Sequence, residues 1–419
     1  MKIKKALFSK GKSAFFFDDQ KAIKSGAEQD GFIYKGNPVT DGFQAIRVGG
    51  EAISVILILE DGQIAVGDCA AVQYSGAGGR DPLFLAETYI PFLNKNIKPL
   101  LEGMDISGFA AMADHFEEMK FDGKKLHTAI RYGLSQALLD ACAKNHNKMK
   151  CEVICDEYRL PYTVSRIPIF SQTGDNRYEN VDKMILKNSE VLPHGLINNI
   201  DTKLGRNGEL LKEYIEWLVK RTGELKTSPS YLPDIHIDVY GTIGSLFNYD
   251  VEKICNYLAS LEKHAGNHNL YIEGPVDVGE KNRQIDVMAQ IKKNLVSRGS
   301  RVKTVADEWC NTYEDIKDFT DADACDMVQI KTPDLGGIQN IIKSVLYCKE
   351  HGMEAYQGGT CNETDISSRT CVHVAMASRP ERILAKPGMG FDEGYTITNN
   401  EMERILAVLR YKKEAGLIK

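Results

Sequence analysis

From about residue 165 onward, short apolar segments alternate with longer stretches that carry apolar residues on one helical face. Short apolar runs bounded by turn residues are typical of buried strands, whereas apolar positions three or four residues apart are typical of an amphipathic helix. The predicted strands cover residues 167–170, 196–198 (the weakest), 235–239, 270–273, 304–307, 327–330, 354–356 and 383–385. Two of the helical faces consist of Leu210, Leu211, Tyr214, Ile215, Leu218 and Val219, and of Ile254, Leu258 and Leu261.

This alternation predicts a parallel sheet, because each helix returns the chain to begin the next strand in the same direction. Eight strands within roughly 230 residues favour a closed (β/α)₈ TIM-type barrel over an open, doubly wound sheet. We therefore expect an α/β protein whose carboxyl-terminal part is such a barrel.

The first part of the chain mixes strand and helix patterns. Residues 53–59 are apolar and β-branched, and a turn signal at Asp61 and Gly62 separates them from residues 63–66. This arrangement predicts a β-hairpin. Apolar residues then recur every four positions from Ile130 to Cys142, which predicts a helix over residues 127–144.

These patterns divide the chain into two predicted domains. An N-terminal α+β capping domain is expected over residues 1–160, and the barrel over residues 161–419. The total of 419 residues fits this division, because a (β/α)₈ barrel typically takes about 250 residues.

Composition and charge exclude several classes of function. Lys and Arg number 52 against 58 for Asp and Glu, so the net charge is −6 and a nucleic-acid partner is not expected. No stretch approaches the ~20 apolar residues that span a bilayer, and Lys10 and Lys12 interrupt the apolar N-terminal residues, unlike a signal peptide. Among the ten cysteines the closest pair, Cys151 and Cys155, lacks a second metal-binding pair. We expect free thiols in a reducing cytoplasm.

Three acidic residues close successive predicted strands. Asp238, Glu273 and Asp307 are 35 and 34 residues apart, about one strand–helix unit each. In a barrel, this spacing brings three carboxylates together at the mouth, where they repel one another unless a cation lies between them. Oxygen ligands favour a hard ion such as Mg²⁺. The alternative is that each acid only caps the helix that follows it.

The next predicted strand adds a candidate base. Lys331 follows Asp307 by 24 residues, and Gln329 points to the same side of the strand. A divalent cation lowers the pKa of a nearby lysine, which then acts as a base near neutral pH; the alternative is a solvated lysine. Thr360 lies after paired glycines, in a substrate-binding segment or simply a tight loop. His194 is a second acid–base candidate, with a structural histidine as the alternative.

An acid at the end of each of three consecutive strands, followed by a lysine, resembles the enolase superfamily. Within it, the chain resembles the methylaspartate ammonia-lyase family over nearly its whole length. The segments that carry this resemblance are 17–20 (FDDQ), 67–84 (GDCAAVQYSGAGGRDPLF), 126–133 (LHTAIRYG), 181–184 (VDKM), 238–244 (DVYGTIG), 306–312 (ADEWCNT) and 385–390 (AKPGMG).

The resemblance implies a carbon–nitrogen lyase in which Asp238, Glu273 and Asp307 bind Mg²⁺. It implies that Lys331 removes the C3 proton of (2S,3S)-3-methylaspartate, so that ammonia leaves and mesaconate forms. His194 would lie on the opposite face of the substrate and serve the 3-epimer. K⁺ as an activator, a homodimer, and a role in amino-acid degradation by glutamate fermentation are also implied. The implied substrate-binding residues are Gln73, Gln172, His194, Gln329, Thr360, Cys361 and Leu384.

Three other functions remain open at this point. Another enolase-superfamily enzyme, a dehydratase or cycloisomerase, would share the metal and Lys331 but act on a different carboxylic acid. A metal-free ammonia-lyase that builds its electrophile from Ala-Ser-Gly is disfavoured, because the chain lacks that tripeptide. A catalytically inactive barrel would have lost an acid or the lysine. The Lys-x-Lys motif that many superfamily members carry on the second barrel strand is absent, and His194 stands in that region.

Overall fold

The computed structural model describes residues 1–77 and 79–418 of the chain. Within these residues, no helix combines the length and apolar character needed to cross a membrane. The ten cysteines are free thiols and nine of them are buried, as the sequence predicted.

The N-terminal region contains strands and helices of very different lengths, and three of its strands form one sheet. Its strands are β1 (Ile3–Asp18), β2 (Gln29–Asp30), β3 (Ile33–Tyr34), β4 (Arg47–Leu59), β5 (Ile64–Ala70), β6 (Lys120–Phe121) and β7 (Lys124–Lys125). Its helices are α1 (Gln20–Lys24), α2 (Ala86–Phe92), α3 (Lys98–Leu101), α4 (Phe109–Glu118), α5 (Thr128–Asn145) and α6 (Lys150–Tyr158), with a π-helical turn at Leu93–Ile97.

The main sheet of this region has the order β1-β4-β5 and is antiparallel. The predicted hairpin is confirmed, because β4 and β5 pair with Ile58 opposite Ile64. The predicted helix is α5, and it packs against β5 at two glycines. A Cβ on Gly67 would lie 2.4 Å from the Gly133 carbonyl oxygen, and one on Gly133 would lie 2.4 Å from the Cys69 Sγ. The backbones of β5 and α5 are therefore in direct contact.

The rest of the chain alternates strands and helices. Its strands are β8 (Ile169–Phe170), β9 (Val191–His194), β10 (Asp234–Asp238), β11 (Leu270–Glu273), β12 (Lys303–Ala306), β13 (Met327–Ile330), β14 (Glu354–Gln357) and β15 (Arg382–Leu384). Its helices are α7 (Glu179–Leu186), α8 (Glu209–Leu225), α9 (Thr242–Leu246), α10 (Val251–Ala265), α11 (Lys281–Ser297), α12 (Tyr313–Asp321), α13 (Ile338–Glu350), α14 (Asp365–Ser378) and α15 (Gly390–Glu414), with a π-helical turn at Ile200–Leu204 and a 3₁₀ turn at Pro387–Met389.

The eight strands from β8 to β15 form a closed parallel barrel, which confirms the predicted fold class. The two helical faces predicted from the sequence belong to α8 and α10. The division of the chain at residue 160 stays a prediction. Seven buried apolar side chains from seven of the strands pack together inside the barrel: Phe170, Val191, Tyr271, Val305, Met327, Tyr356 and Leu384.

The second barrel strand was predicted wrongly. It covers Val191–His194 rather than residues 196–198. Pro193 obscured it in the sequence, because proline lacks the N–H of a strand ladder and is uncommon inside sheets. Its carbonyl still accepts a hydrogen bond from the Thr173 N–H, at 3.2 Å. Leu196 has a positive φ of 48°, which is incompatible with an extended strand.

Candidate metal centre and active site

Three carboxylates meet at the mouth of the barrel. Asp238 ends β10, Glu273 ends β11 and is its register partner, and Asp307 directly follows β12. One oxygen of each lies within 4.8 Å of the others. These acids do not cap helices, since the residues at the N-caps of α9, α11 and α12 are others: Gly241, Glu280 and Thr312.

The electrostatics of this cluster fit a divalent cation. Burial and the neighbouring carboxylates raise the pKa of Asp238 and of Glu273 well above the ordinary range. Within residues 1–77 and 79–418, Glu273 Oε2 and Asp307 Oδ1 are buried and make no hydrogen bond of regular geometry, although His236 Nε2 and Lys331 Nζ lie 2.8 Å and 2.6 Å from them. A hard dication such as Mg²⁺ would bind these oxygens and offset the negative charge of the cluster, and an all-oxygen donor set suits it.

Glu273 is held by groups inside the barrel. Its Oε1 accepts hydrogen bonds from Gln329 Nε2 at 2.8 Å and from the Tyr356 hydroxyl at 2.7 Å. Its Oε2 lies 2.8 Å from His236 Nε2. The His236 ring stacks on Phe170 with centroids 4.2 Å apart. His236 occupies the interior position of β10. Each of the other seven strands contributes one residue of the buried apolar cluster inside the barrel.

Sequence reasoning did not single out His236. The available signal was its position two residues before Asp238, on the same side of β10. Its Nδ1 lies 3.4 Å from Nη1 of Arg382, whose Nη2 donates to Asp234 Oδ2 at 2.9 Å. A polar chain therefore runs from the start of β10 through the barrel interior to Glu273.

Lys331 directly follows β13 and lies beside the acids. Its Nζ is 2.6 Å from Asp307 Oδ1, and its side chain is 15% exposed. Burial lowers the pKa of Lys331, but Asp307, Glu308 and Asp334 outweigh burial and raise that pKa above its ordinary value. From the sequence, we expected a lowered pKa for Lys331 in the presence of a divalent cation. The carboxylates alone favour the ammonium form of Lys331.

His194 lies across the barrel from Lys331. It ends β9, and β9 and β13 are four strands apart in either direction around the eight-stranded ring. Its Nε2 lies 3.6 Å from Asp238 Oδ2. Burial lowers the pKa of His194 to about 4, partly opposed by Asp307. Its Nδ1 is buried without a partner in the described part of the chain.

The predicted substrate-binding residues come from strand ends around the same mouth. Gln172 follows β8 and is half-buried, whereas Leu384 ends β15 and is buried in the interior cluster. Thr360 and Cys361 follow β14, and burial raises the pKa of the Cys361 thiol to about 12. Gln329 directs its amide nitrogen to Glu273, which leaves its buried Oε1 without a partner among the described residues.

Gln73 is the predicted site residue that comes from the N-terminal region. It follows β5, and its Nε2 donates to Asp18 Oδ2 at 2.7 Å. The β1 strand contacts the loop after β14, because Asn362 Nδ2 donates to the Phe16 carbonyl at 2.8 Å and the Ala14 N–H donates to the Glu363 carbonyl at 3.0 Å. This contact places the N-terminal sheet at the rim of the barrel, next to Thr360 and Cys361.

A buried ion pair near the site was also missed from the sequence. Lys386 Nζ lies 3.0 Å from Glu363 Oε1 and donates to Thr332 Oγ1 at 2.9 Å. The Tyr132 hydroxyl donates to Glu363 Oε2 at 2.9 Å. This network joins α5 to the ends of β13, β14 and β15, immediately beside Lys331.

Comparisons with known proteins agree along nearly the whole chain. Two family models match: "Methylaspartate ammonia-lyase N-terminus" over residues 1–159 and "Methylaspartate ammonia-lyase C-terminus" over residues 161–411. The methylaspartate ammonia-lyase of Citrobacter amalonaticus is 63% identical over 412 residues, covering 98% of this chain and 100% of the relative. That of Clostridium tetanomorphum is 52% identical over 413 residues, covering 99% and 100%.

Solved structures give the same result. The Citrobacter amalonaticus enzyme containing (2S,3S)-3-methylaspartic acid superposes with a TM-score of 0.96 at 63% identity, covering 98% of this chain and 100% of that one. The Mg complex of the Clostridium tetanomorphum β-methylaspartase also gives 0.96, at 52% identity and the same coverage. A muconate lactonizing enzyme from Pseudomonas fluorescens, with a TM-score of 0.58 and 16% identity over 90% of this chain and 84% of that one, shares the fold.

Proposed function

This chain belongs to the methylaspartate ammonia-lyase family and is a carbon–nitrogen lyase, and we propose that it eliminates ammonia from (2S,3S)-3-methylaspartate to give mesaconate. The observation that carries the proposal is the cluster at the barrel mouth, with three carboxylate oxygens within 4.8 Å of one another and Lys331 Nζ 2.6 Å from Asp307. A catalytically inactive barrel is disfavoured by the presence of every member of this cluster.

The side chains of Asp238, Glu273 and Asp307 would hold Mg²⁺. When bound, Mg²⁺ would offset the charge of these carboxylates and stabilise the negative charge that develops on the substrate carboxylate. Gln329 and Tyr356 orient Glu273 through hydrogen bonds to Oε1, which leaves Oε2 for the metal.

Lys331 is the base in this proposal. Its neutral amine takes the C3 proton, and the C3–H electron pair delocalises into the adjacent carboxylate. That pair then forms the C2=C3 π bond as the C2–N pair leaves with ammonia. Its short distance to Asp307 fixes the position of the amine relative to the carboxylates. Burial excludes water, which would otherwise return a proton to C3.

His194 serves the other face of the substrate. It lies diametrically opposite Lys331 in the ring, and its lowered pKa keeps it neutral, as a base must be before it takes a proton. We assign removal of the C3 proton of the 3-epimer to His194. Gln73, Gln172, Thr360 and Cys361 bind the polar groups of the substrate, and Leu384 contacts its methyl group.

Several further properties belong to the same proposal. K⁺ is expected to act as a monovalent activator, the chain is expected to form a homodimer, and it is expected to act in the cytoplasm in the degradation of amino acids by glutamate fermentation. Each of them rests on family membership. Gel filtration with light scattering and a K⁺ titration of the rate would test the first two.

The test is an assay for mesaconate by its ultraviolet absorbance, with 3-methylaspartate and Mg²⁺. Lys331→Ala is expected to lose about 10²–10⁴-fold in kcat, the range for removal of a general base. Its Mg²⁺ affinity, measured by isothermal titration calorimetry, should persist because the three carboxylates remain. The matched control is Lys253→Ala, on the exposed surface of α10. If the protein converts a different carboxylic acid but not 3-methylaspartate, a dehydratase or cycloisomerase is favoured. If Lys331→Ala retains the wild-type rate, Lys331 is not the base.

A further inference from the structure

Asp18 and Gln73 are joined by two hydrogen bonds at the junction of β1 and the segment after β5. The Gln73 side-chain Nε2 donates to Asp18 Oδ2 at 2.7 Å, and the Asp18 backbone N–H donates to the Gln73 carbonyl at 2.9 Å. The Asp18 side chain is 1% exposed. Both the backbone and the side chain of Gln73 are therefore fixed relative to the end of β1.

Arg47 holds Asp18 from the other side. Its Nε donates to Asp18 Oδ1 at 2.7 Å and its Nη2 donates to Oδ2 at 2.8 Å, which is the bidentate geometry that fixes a carboxylate plane. Four aromatic rings surround the guanidinium, with centroids 4.7–5.7 Å from its central carbon: Phe15, Phe16, Phe32 and Tyr34. Such packing restrains the guanidinium by cation–π attraction.

This arrangement determines which end of the Gln73 amide is free. A carboxylate only accepts hydrogen bonds, so the amide nitrogen must face Asp18 and the amide oxygen must point away from it. An amide oxygen only accepts as well. The one strong donor on 3-methylaspartate with both carboxyl groups ionised is its ammonium group. The contacts of β1 with Asn362 and Glu363 hold this unit beside the loop that carries Thr360 and Cys361.

We propose that Asp18 and Arg47 are positioning residues, which hold the Gln73 amide with its oxygen free to accept a hydrogen bond from the substrate ammonium. This inference rests on the proposed function. Asp18 and Arg47 act only through Gln73, and they make the N-terminal region a determinant of selectivity for an amine-bearing substrate.

Asp18→Asn tests this role, because its side-chain amide can donate as well as accept and so no longer dictates which end of Gln73 faces it. We expect KM for 3-methylaspartate to rise about tenfold, the size of effect of one hydrogen bond to a charged group, with kcat changed less than twofold. Gln73→Ala should show the same pattern. In the double variant the effects should not add, because the proposed effect of Asp18 on the substrate passes through Gln73.

The matched control is Asp19→Asn. Asp19 is also buried and accepts hydrogen bonds from Val39, Thr40 and Ala22, but it does not contact Gln73. Its substitution should lower the melting temperature and leave KM unchanged. Arg47→Lys gives a second, milder probe, since it keeps the charge but loses the bidentate geometry, and it should raise KM in the same non-additive way.

The outcomes separate this inference from the proposed function. Suppose that the wild-type enzyme is active but Asp18→Asn leaves KM unchanged. The positioning role alone is then overturned. It is also overturned if adding Asp18→Asn to Gln73→Ala raises KM by the full factor seen for Asp18→Asn by itself. A wild-type protein that does not convert 3-methylaspartate with Mg²⁺ present overturns the proposed function, and with it this inference.

Discussion

His236 contacts Glu273 from inside the barrel. Because its Nδ1 faces the Arg382 guanidinium, which only donates, the imidazole proton belongs on Nε2, 2.8 Å from Glu273 Oε2. A histidine that donates to a metal-binding carboxylate fixes its orientation and typically contributes 10–100-fold in metal affinity.

His236→Phe should therefore weaken Mg²⁺ binding by about 10–100-fold, because it keeps a ring against Phe170 but removes the imidazole nitrogen that lies 2.8 Å from Glu273 Oε2. Isothermal titration calorimetry measures the dissociation constant directly. Tyr271→Phe is the matched control, since it also removes a polar group from the barrel interior, and that hydroxyl contacts Lys303 rather than a site carboxylate. Equal affinities for wild type and His236→Phe would remove His236 from this role.

His194→Ala should separate the two epimers of the substrate. We expect a loss of about 10²–10⁴-fold in turnover of the 3-epimer and a loss of less than tenfold for the (2S,3S) compound, because the base that we propose for the latter, Lys331, lies on the opposite side of the ring. Steady-state rates with each epimer give the comparison. Equal losses for both epimers would contradict the assignment of one base to each face.

Residues whose position follows from strand ends could be predicted from the sequence. Asp238, Glu273, Asp307 and Lys331 were found because one strand–helix unit separates each from the next. His236, Asp18 and Lys386 could not be found in this way. Their roles come from partners that are distant in the sequence, namely Glu273, Gln73 and Glu363.

At the scale of elements, the contact of α5 with β5 depends on glycine. Gly133→Ala should lower the free energy of unfolding by about 1–3 kcal/mol, because the new methyl group would lie 2.4 Å from Cys69 Sγ and force the two elements apart. Gly223→Ala is the matched control, since Gly223 lies within α8 with no atom within 4 Å of an added Cβ. It should stabilise the protein by up to about 1 kcal/mol. Urea denaturation midpoints compare them, and equal midpoints for the two variants would contradict this contact.

Most barrel strands were predictable because they are short segments rich in apolar residues, and β10 to β14 end at or directly before an acid, a lysine or a glycine. The β9 strand was not, because Pro193 replaces a ladder donor within four residues. In a strand of four residues, the remaining three give too short an apolar pattern to indicate a strand when one residue is proline. The loops after the strands, where Gln172, Thr360 and Cys361 lie, have no periodicity, and their relation to the site came from the family resemblance.

At the scale of the whole molecule, the carboxylate cluster should couple metal binding to stability. Mg²⁺ at 100 times its dissociation constant should add about 2.7 kcal/mol to the free energy of unfolding, because it binds only the folded site. Asp238→Asn should raise the melting temperature measured in a chelator, since it relieves the repulsion of Asp238 by Asp307 and Glu273, and should greatly reduce the Mg²⁺-dependent rise. The control Asp114→Asn changes an exposed carboxylate and should behave as wild type. A melting curve for wild type that does not respond to Mg²⁺ would contradict the coupling.

The overall architecture was predictable from the alternation of strands and helices, whereas the contact of the N-terminal sheet with the barrel was not. That contact joins Phe16 to Asn362, which are 346 residues apart. Neither residue carries a local pattern that indicates the other. Long-range polar contacts of this kind follow from the folded surfaces and not from periodicity.

Contributions to the pocket from two separate stretches of chain have an evolutionary consequence. In the proposed function, the residues for the proton and the metal lie on or directly after barrel strands, whereas Gln73 follows a strand of a separate sheet. We therefore expect mutations near the start of the chain to alter which amines are accepted without changing the residues that break the bonds. A lineage, or a directed-evolution library confined to residues 13–77, could explore new substrates without first losing catalysis.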